Sequence, residues 1–220
     1  MAARLSFDAE LKLLKEDLFE MARLIEEAIE KIMIAFESQD HDLSKQIILG
    51  DRIINDIEKS IEARCLSLIV KQQPVASDLR FVTTALKVVT DMERIGDHAA
   101  DIAELIIRDK RDHIYELVKY IPEMGNATKA MVHDAVQAFT TLNVEKAKEI
   151  IKQDDMVDNL FDKVKLEVAN ILKESSKQVD QCVDILMIAK YFERIGDHSV
   201  NICEWIEFRE TGSVNNIRIF

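Results

Sequence analysis

Long stretches of this chain carry apolar residues every three or four positions, and short polar breaks separate them. Apolar residues at i, i+3, i+4 and i+7 form one face of an α-helix, so each stretch predicts an amphipathic helix. The first runs from about Phe7 to Glu37 and stops at "SQDHD". The second runs from about Leu43 to Val70, ahead of Pro74. The third opens at "SDLR", with Ser77 placed as its cap, and reaches about Arg108. The charged junction "DKRDHIYELVKYIPEMG" leads to a fourth helix, in which Pro122 falls early or bends the axis and which ends near Leu142. The fifth spans about Val144 to Lys173, and the sixth, with Ser176 as candidate cap, continues to about Phe208. The tail "RETGSVNNIRIF" has no helical period, and no stretch reads as a sheet.

The six helices fall into two matching sets. "GDRIINDIEKSIEARCLSLI" at 50–69 aligns with "QDDMVDNLFDKVKLEVANIL" at 153–172. "LKVVTDMERIGDHAADIAELI" at 86–106 aligns with "LMIAKYFERIGDHSVNICEWI" at 186–206, and the hexamer ERIGDH is unchanged between them. The first helix of each set shares only its pattern. A repeat of this length implies duplication of one unit. Short connections between long helices then predict an all-α fold of two pseudo-symmetric antiparallel three-helix bundles, residues 1–110 and 111–220, the second ending in the short non-helical tail.

The repeated segments place acids where packing does not ask for them. At about 100° per residue, Glu93 falls among Leu79, Val82, Leu86, Val89, Ala100 and Ile107, in the middle of the apolar stripe, with Asp97 about 40° and Asp101 about 80° away. Glu193 sits likewise among Val179, Cys182, Leu186, Ala189 and Val200, and Asp197 and Asn201 repeat the offsets. On the second and fifth helices, Asp51 and Asn55 match Asp154 and Asp158, each pair one turn apart; Glu58 and Glu62 share the Asp51 face. Burying clustered carboxylates costs several kcal/mol and raises their pKa values. Arginine partners (Arg94, Arg194, Arg52, Arg80), exposure at a seam, or bound cations can offset that cost. Two matched stripes, each facing a second acidic pair, favour cations. All-oxygen donor sets suit Mg²⁺, Mn²⁺ or iron, and one-turn spacing allows more than one ion to be bridged. Gly96 and Gly196 lie toward the packed side, where glycine allows a close helix crossing or room for a cluster.

His98 and His198 are about 140° from their glutamates and are expected outside the clusters, at the edge of the core. His41 and His113 read as solvated junction residues, and His133 as a surface position. Cys65, Cys182 and Cys203 form no CxxC pair and read as small apolar residues of a reducing compartment. A net charge of −12 disfavours nucleic acid and anionic lipid as partners. No signal-peptide pattern and no apolar run long enough to span a bilayer is present, so a cytoplasmic protein without membrane insertion is expected. The chain also lacks Glu-x-x-His, a phosphate-cradling glycine loop and a nucleophile elbow, and no acid–base or nucleophilic constellation emerges.

"KQQPVASDLRFVTTALKVVTDMERIGDHAADIAEL" and "LMIAKYFERIGDHSVNICEWI", with the opening "FDAELKLLKEDLFEMARLIEEAIEKIMIAF", closely resemble the PhoU phosphate-uptake regulators over essentially the whole chain. The resemblance implies paired three-helix bundles carrying metal clusters, multinuclear iron or else zinc, manganese or magnesium, on an (E/D)xxxD motif. The matching positions are Glu93, Asp97 and Asp101 with Asp51 and Asn55, and Glu193 and Asp197 with Asp154 and Asp158. Asn55 and Asn201 stand where a carboxylate would bind more strongly. The resemblance further implies a non-enzymatic negative regulator of phosphate uptake and of the phosphate-starvation response. Such proteins contact the ATPase of the phosphate ABC transporter and a sensor histidine kinase, commonly as homodimers. A metal-dependent hydrolase of phosphate compounds and a metal-free helical scaffold are the competing expectations.

Overall fold

A computed structural model describes residues 2–108, 118–174, 178–214 and 217–218. Six helices follow in order: α1 (Ala2–Ser38), α2 (His41–Gln72), α3 (Ala76–Arg108), α4 (Ile121–Thr141), α5 (Val144–Glu174) and α6 (Val179–Thr211). With only five glycines and two prolines to interrupt them, most run beyond 30 residues.

The α1–α2, α2–α3 and α4–α5 connections are two or three residues long, set by specific backbone and side-chain bonds. Asp40 caps α2, its Oδ1 accepting from the Asp42 and Leu43 backbone N–H groups. Gln73 ends α2 in the left-handed conformation, and Leu142 does the same for α4. The Asn143 side chain then accepts from the Lys146 backbone to start α5. Pro122 sits in the first turn of α4, where its missing N–H costs no helical bond, so it does not bend the helix. Two expected caps fare differently. Ser77 lies inside α3, which starts one residue earlier, and the proposed cap Ser176 lies outside the described residues, as does His113. The α6 N-cap position is Gln178, without a side-chain bond. At the C-terminus α6 runs to Thr211 and ends on Gly212 at φ +73°, a conformation that favours glycine. The tail, expected without regular structure, forms a short antiparallel hairpin, β1 (Ser213–Val214) with β2 (Ile217–Arg218).

Helices α1–α3 and α4–α6 form the two repeats. They join through α3 against α6 and α1 against α4. Equivalent residues of the central pair are buried in both copies: Met92, Ile95, Ala99 and Ile102 in α3, Phe192, Ile195, Ser199 and Ile202 in α6. Truncating one of the larger of these, such as Phe192→Ala, would cost about 3–5 kcal/mol. Gly125 marks where α1, α4 and α6 converge: a Cβ there would lie 2.6 Å from Met33 Sδ and 3.4 Å from Phe192 Cζ. Because α3 packs against α1, α2 and α6 at once, its buried arc is wide and centres near Met92, Ile95 and Ala99. Glu93 therefore stands at the border of that arc, not in its middle as the periodicity alone suggested.

Candidate metal centre

The border position puts the acids on two seams, α2 against α3 and α5 against α6. In the first, Asp51 and Asn55 of α2 face Glu93 and Asp97 of α3. Asn55 Nδ2 donates to Asp51 Oδ2 at 3.0 Å. The other oxygens of that pair, Asp51 Oδ1 and Asn55 Oδ1, are buried without a hydrogen-bond partner. Unsatisfied buried acceptors are rare and costly, so both oxygens are suited to accept from a donor or to bind a cation. Burial pushes the Asp51 carboxyl upward, and the Asp97 charge adds to the effect. Glu93 is raised in the same way, by burial first and then by Asp97, with Arg94 opposing. Arg94 lies 3.1 Å from Asp97 and 3.6 Å from Glu93, but is itself 56% exposed, which limits how far it can neutralise them.

Glu58 belongs to this seam as well. Its pKa is raised by burial and by Glu62, and Asp97 and Glu93 both interact with it. The signal was available: Glu58 lies seven residues from Asp51, two helical turns along the same face. Its repeat counterpart is Phe161, so the duplication does not mark it.

The second seam uses the same frame. Asp154 and Asp158 of α5 face Glu193 and Asp197 of α6. Asp154 carries the largest perturbation of any acid on the two seams. Its carboxyl is pushed up to about 6, by burial first and then by Asp158, Asp197 and Glu193. Its Oδ1 is buried and unpartnered. Asp197 is raised by burial and Glu193, against the pull of Arg194 and Lys190. Lys190, one turn before Glu193, binds both of its carboxylate oxygens. Its counterpart in the first copy is Thr90, so the repeat does not mark this lysine.

The two repeated glycines are explained by what a Cβ would meet. At Gly96 it would lie 3.0 Å from Ile54 Cγ2 and 3.5 Å from Asp51 Oδ1, so α2 approaches closely there. At Gly196 it would lie 2.6 Å from Asp154 Oδ1, so the glycine makes room for the carboxylate itself.

The third members of the stripes turn toward the other repeat, although the Asp101 charge still adds to the raised carboxyl of Asp51. Asn201 Nδ2 donates across the molecule to Asp91 Oδ1 at 3.1 Å, and His198 Nδ1 lies 2.9 Å from the same oxygen. In the mirrored position, Asp101 lies 3.5 Å from His98 Nδ1 and hydrogen-bonds Tyr191, which raises the tyrosine together with burial. The His98 and His198 rings meet at 5.5 Å between centroids. The histidines thus lie outside both acidic seams, at the junction of the two repeats. His133 is exposed beside Glu26, as expected of a surface residue. His41, expected to be solvated, is half-buried with Nε2 shielded and unpartnered.

The donors fit a hard or borderline cation: carboxylate and amide oxygens, two of the carboxylates with a buried oxygen left unsatisfied, and a glycine cradle at Asp154. Their positions are those of an ion-paired set. Among the described residues, no group of three or more His, Cys, Asp or Glu side chains is arranged to hold a metal ion as it stands. No described helix is long and apolar enough to cross a membrane.

Comparison with known proteins accounts for the duplication. The PhoU domain matches twice, at residues 18–106 and 121–206. The phosphate-specific transport system accessory protein PhoU homolog of Clostridium acetobutylicum is 42% identical over 207 residues, covering 94% of each chain. The accessory protein PhoU of Escherichia coli K12 is 32% identical over 94% of this chain and 86% of its own. The crystal structure of the phosphate transport system regulatory protein PhoU from Streptococcus pneumoniae superposes with a TM-score of 0.88 at 30% identity, covering 96% of this chain and all of that one. PhoU from Pseudomonas aeruginosa gives 0.86 at 28% identity, over 94% of this chain and all of that one. The chain belongs to the PhoU family.

Proposed function

We propose that this chain is a non-enzymatic regulator of phosphate homeostasis, a cytoplasmic homodimer that restrains phosphate uptake and the phosphate-starvation response. It would do so by contacting the ATPase of a phosphate ABC transporter and a sensor histidine kinase. The observation that carries this reading is the match of both repeats, over nearly the whole chain, to relatives named as phosphate-specific transport system accessory proteins. The single fold and repeated seams support a role in protein contacts: long exposed helix faces are available for docking.

The seams supply the second part of the reading. In the first, Asp51, Glu93 and Asp97, with Glu58 beside them, would hold a cation. In the second, Asp154, Asp158, Glu193 and Asp197 would do so, with Lys190 displaced from Glu193. Iron fits this donor set, as do zinc, manganese and magnesium. A bound ion supplies positive charge that offsets the carboxylate repulsion and ties α2 to α3 and α5 to α6. The residues' own part is to bring oxygens from two helices to one line, to keep Asp51 Oδ1 and Asp154 Oδ1 away from water and from competing donors, and to leave space at Gly196.

Deleting the gene tests the regulatory part. Phosphate uptake and phosphate-regulated expression should rise under phosphate-replete conditions. If both are unchanged in high and low phosphate, the reading is wrong.

A further inference from the structure

The two seams carry the same number of carboxylates but not the same charge. The first groups Asp51, Glu58, Glu93 and Asp97, with Asn55 and Thr90 completing the two helix edges. The second groups Asp154, Asp158, Glu193 and Asp197, with Phe161 and Lys190 completing them. Position by position, Asn55 gives way to Asp158, Glu58 to Phe161 and Thr90 to Lys190. Arg94 and Arg194 recur in both copies, 56% and 54% exposed, and so do not distinguish them. Each seam thus holds four carboxylates, and the second alone adds an ammonium.

Lys190 is placed to act as that seam's own counter-ion. It lies one turn before Glu193 on α6, and its Nζ binds both carboxylate oxygens. The same Nζ stands 5.5 Å from the centroid of the Phe161 ring, the side chain that α5 carries where α2 carries Glu58. An aromatic face attracts the ammonium without offering it an oxygen, so the head group stays on Glu193. The pair is shielded as well: Glu193 is 14% exposed and Lys190 35%. In the first copy Thr90 is exposed and donates its hydroxyl to the Leu86 backbone, and Glu93 has Arg94 at 3.6 Å instead.

An ammonium and a divalent ion do not share one carboxylate edge. Their charges repel, and the oxygens that would ligate the ion already accept from Nζ. A cation at the second seam therefore requires Lys190 to leave Glu193, and that cost falls on the second seam alone.

We infer that Lys190 is an internal competitor for the cation of the second seam, so that the two repeats fill in order. The first seam loads at lower free metal, and the second only where the metal displaces the lysine. The inference rests on the cation reading of the seams given above and is independent of the regulatory one. It gives the chain a defined half-loaded state, in which an ion ties α2 to α3 while Lys190 still holds Glu193 in the other repeat.

The test is titration of Mn²⁺ into the chelator-treated full chain, read by calorimetry and by loss of the free-ion paramagnetic resonance signal. Two classes of site are expected, with affinities about tenfold or more apart. Lys190→Met should tighten the weaker class about tenfold or more and leave the stronger one unchanged. Thr90→Lys, which installs the ammonium in the first seam, should weaken the stronger class by a similar factor. A lysine with a purely structural part would shift the melting temperature of the metal-free protein and leave both affinities where they are. That result, or equal affinities in the unsubstituted chain, overturns the proposal while the cation sites stand. Absence of saturable Mn²⁺ binding in the chain and in both variants overturns the proposal together with the cation reading beneath it.

Discussion

The two acidic seams share a backbone frame and solve the same charge problem in different ways. In each, two residues one turn apart on one helix face a Glu-xxx-Asp pair on the next. The first seam replaces one carboxylate by Asn55, which donates to Asp51, and then adds Glu58 two turns along. The second keeps carboxylates at all four positions, puts Phe161 where Glu58 would be, and brings in Lys190. The lysine binds Glu193 and lies 5.5 Å from the centroid of the Phe161 ring. One seam softens its repulsion with an amide and stays open to a cation. The other is partly neutralised from within, yet leaves Asp154 the more strained acid. Duplication preserved the site's geometry and let its electrostatics diverge.

Asp154 is where the comparison should break most visibly. Its folded pKa of about 6 stands above its ordinary value of 3.8, so the fold favours the protonated acid. Its stabilising contribution is complete below about pH 4 and is lost as pH rises through about 6. In chelator-treated protein, Asp154→Asn should therefore raise stability by about 1–2 kcal/mol at pH 7.5, with the gain shrinking toward pH 5. Urea midpoints at the two pH values check this. An equal gain at both would mean that the strain is not electrostatic.

Removing Lys190 should act in the opposite direction. Lys190→Met strips Glu193 of its partner inside an acidic seam and should destabilise metal-free protein by about 1 kcal/mol, a value reduced by the lysine's partial exposure. The equivalent substitution at Thr90, Thr90→Met, should change stability by only a few tenths of a kcal/mol, because Thr90 is exposed and bonds only to the Leu86 backbone. Denaturation of the two variants side by side measures the asymmetry.

A smaller effect is expected when the first seam is made to resemble the second. Asn55→Asp removes the donor to Asp51 and adds a charge, which should cost about 0.5–1 kcal/mol without metal and increase the stabilisation gained on adding Mn²⁺. A variant with unchanged metal response would show that position 55 lies outside the cation's reach.

Much of this was legible in the sequence. Helix positions followed from apolar period and from the scarcity of glycine and proline, and the repeat gave the pairing of α2 with α3 and of α5 with α6. The seam acids at 51, 93, 97, 154, 158, 193 and 197 all came from the same helical arithmetic. That arithmetic erred where a helix has several neighbours. It treated α3 as having one buried stripe, so Glu93 looked central. Asp101 and Asn201, about 80° further round, also reach the other repeat, contacts that the stripe alone does not encode. Contacts such as Asp91 with His198 join residues 107 apart in sequence, and no local pattern encodes them. Glu58 and Lys190 stand where the two copies differ, so the repeat does not mark them.

The central claim is that both seams are cation sites whose carboxylate strain a bound ion relieves. Elemental analysis of protein purified without chelators, combined with melting curves before and after adding metal, tests it most directly. Bound metal should be present, its removal should lower the melting temperature, and a Glu93→Ala, Glu193→Ala double variant should lose both the metal and the shift. Protein that carries no metal, and melts at the same temperature with and without added Mn²⁺ or Fe²⁺, would contradict the account.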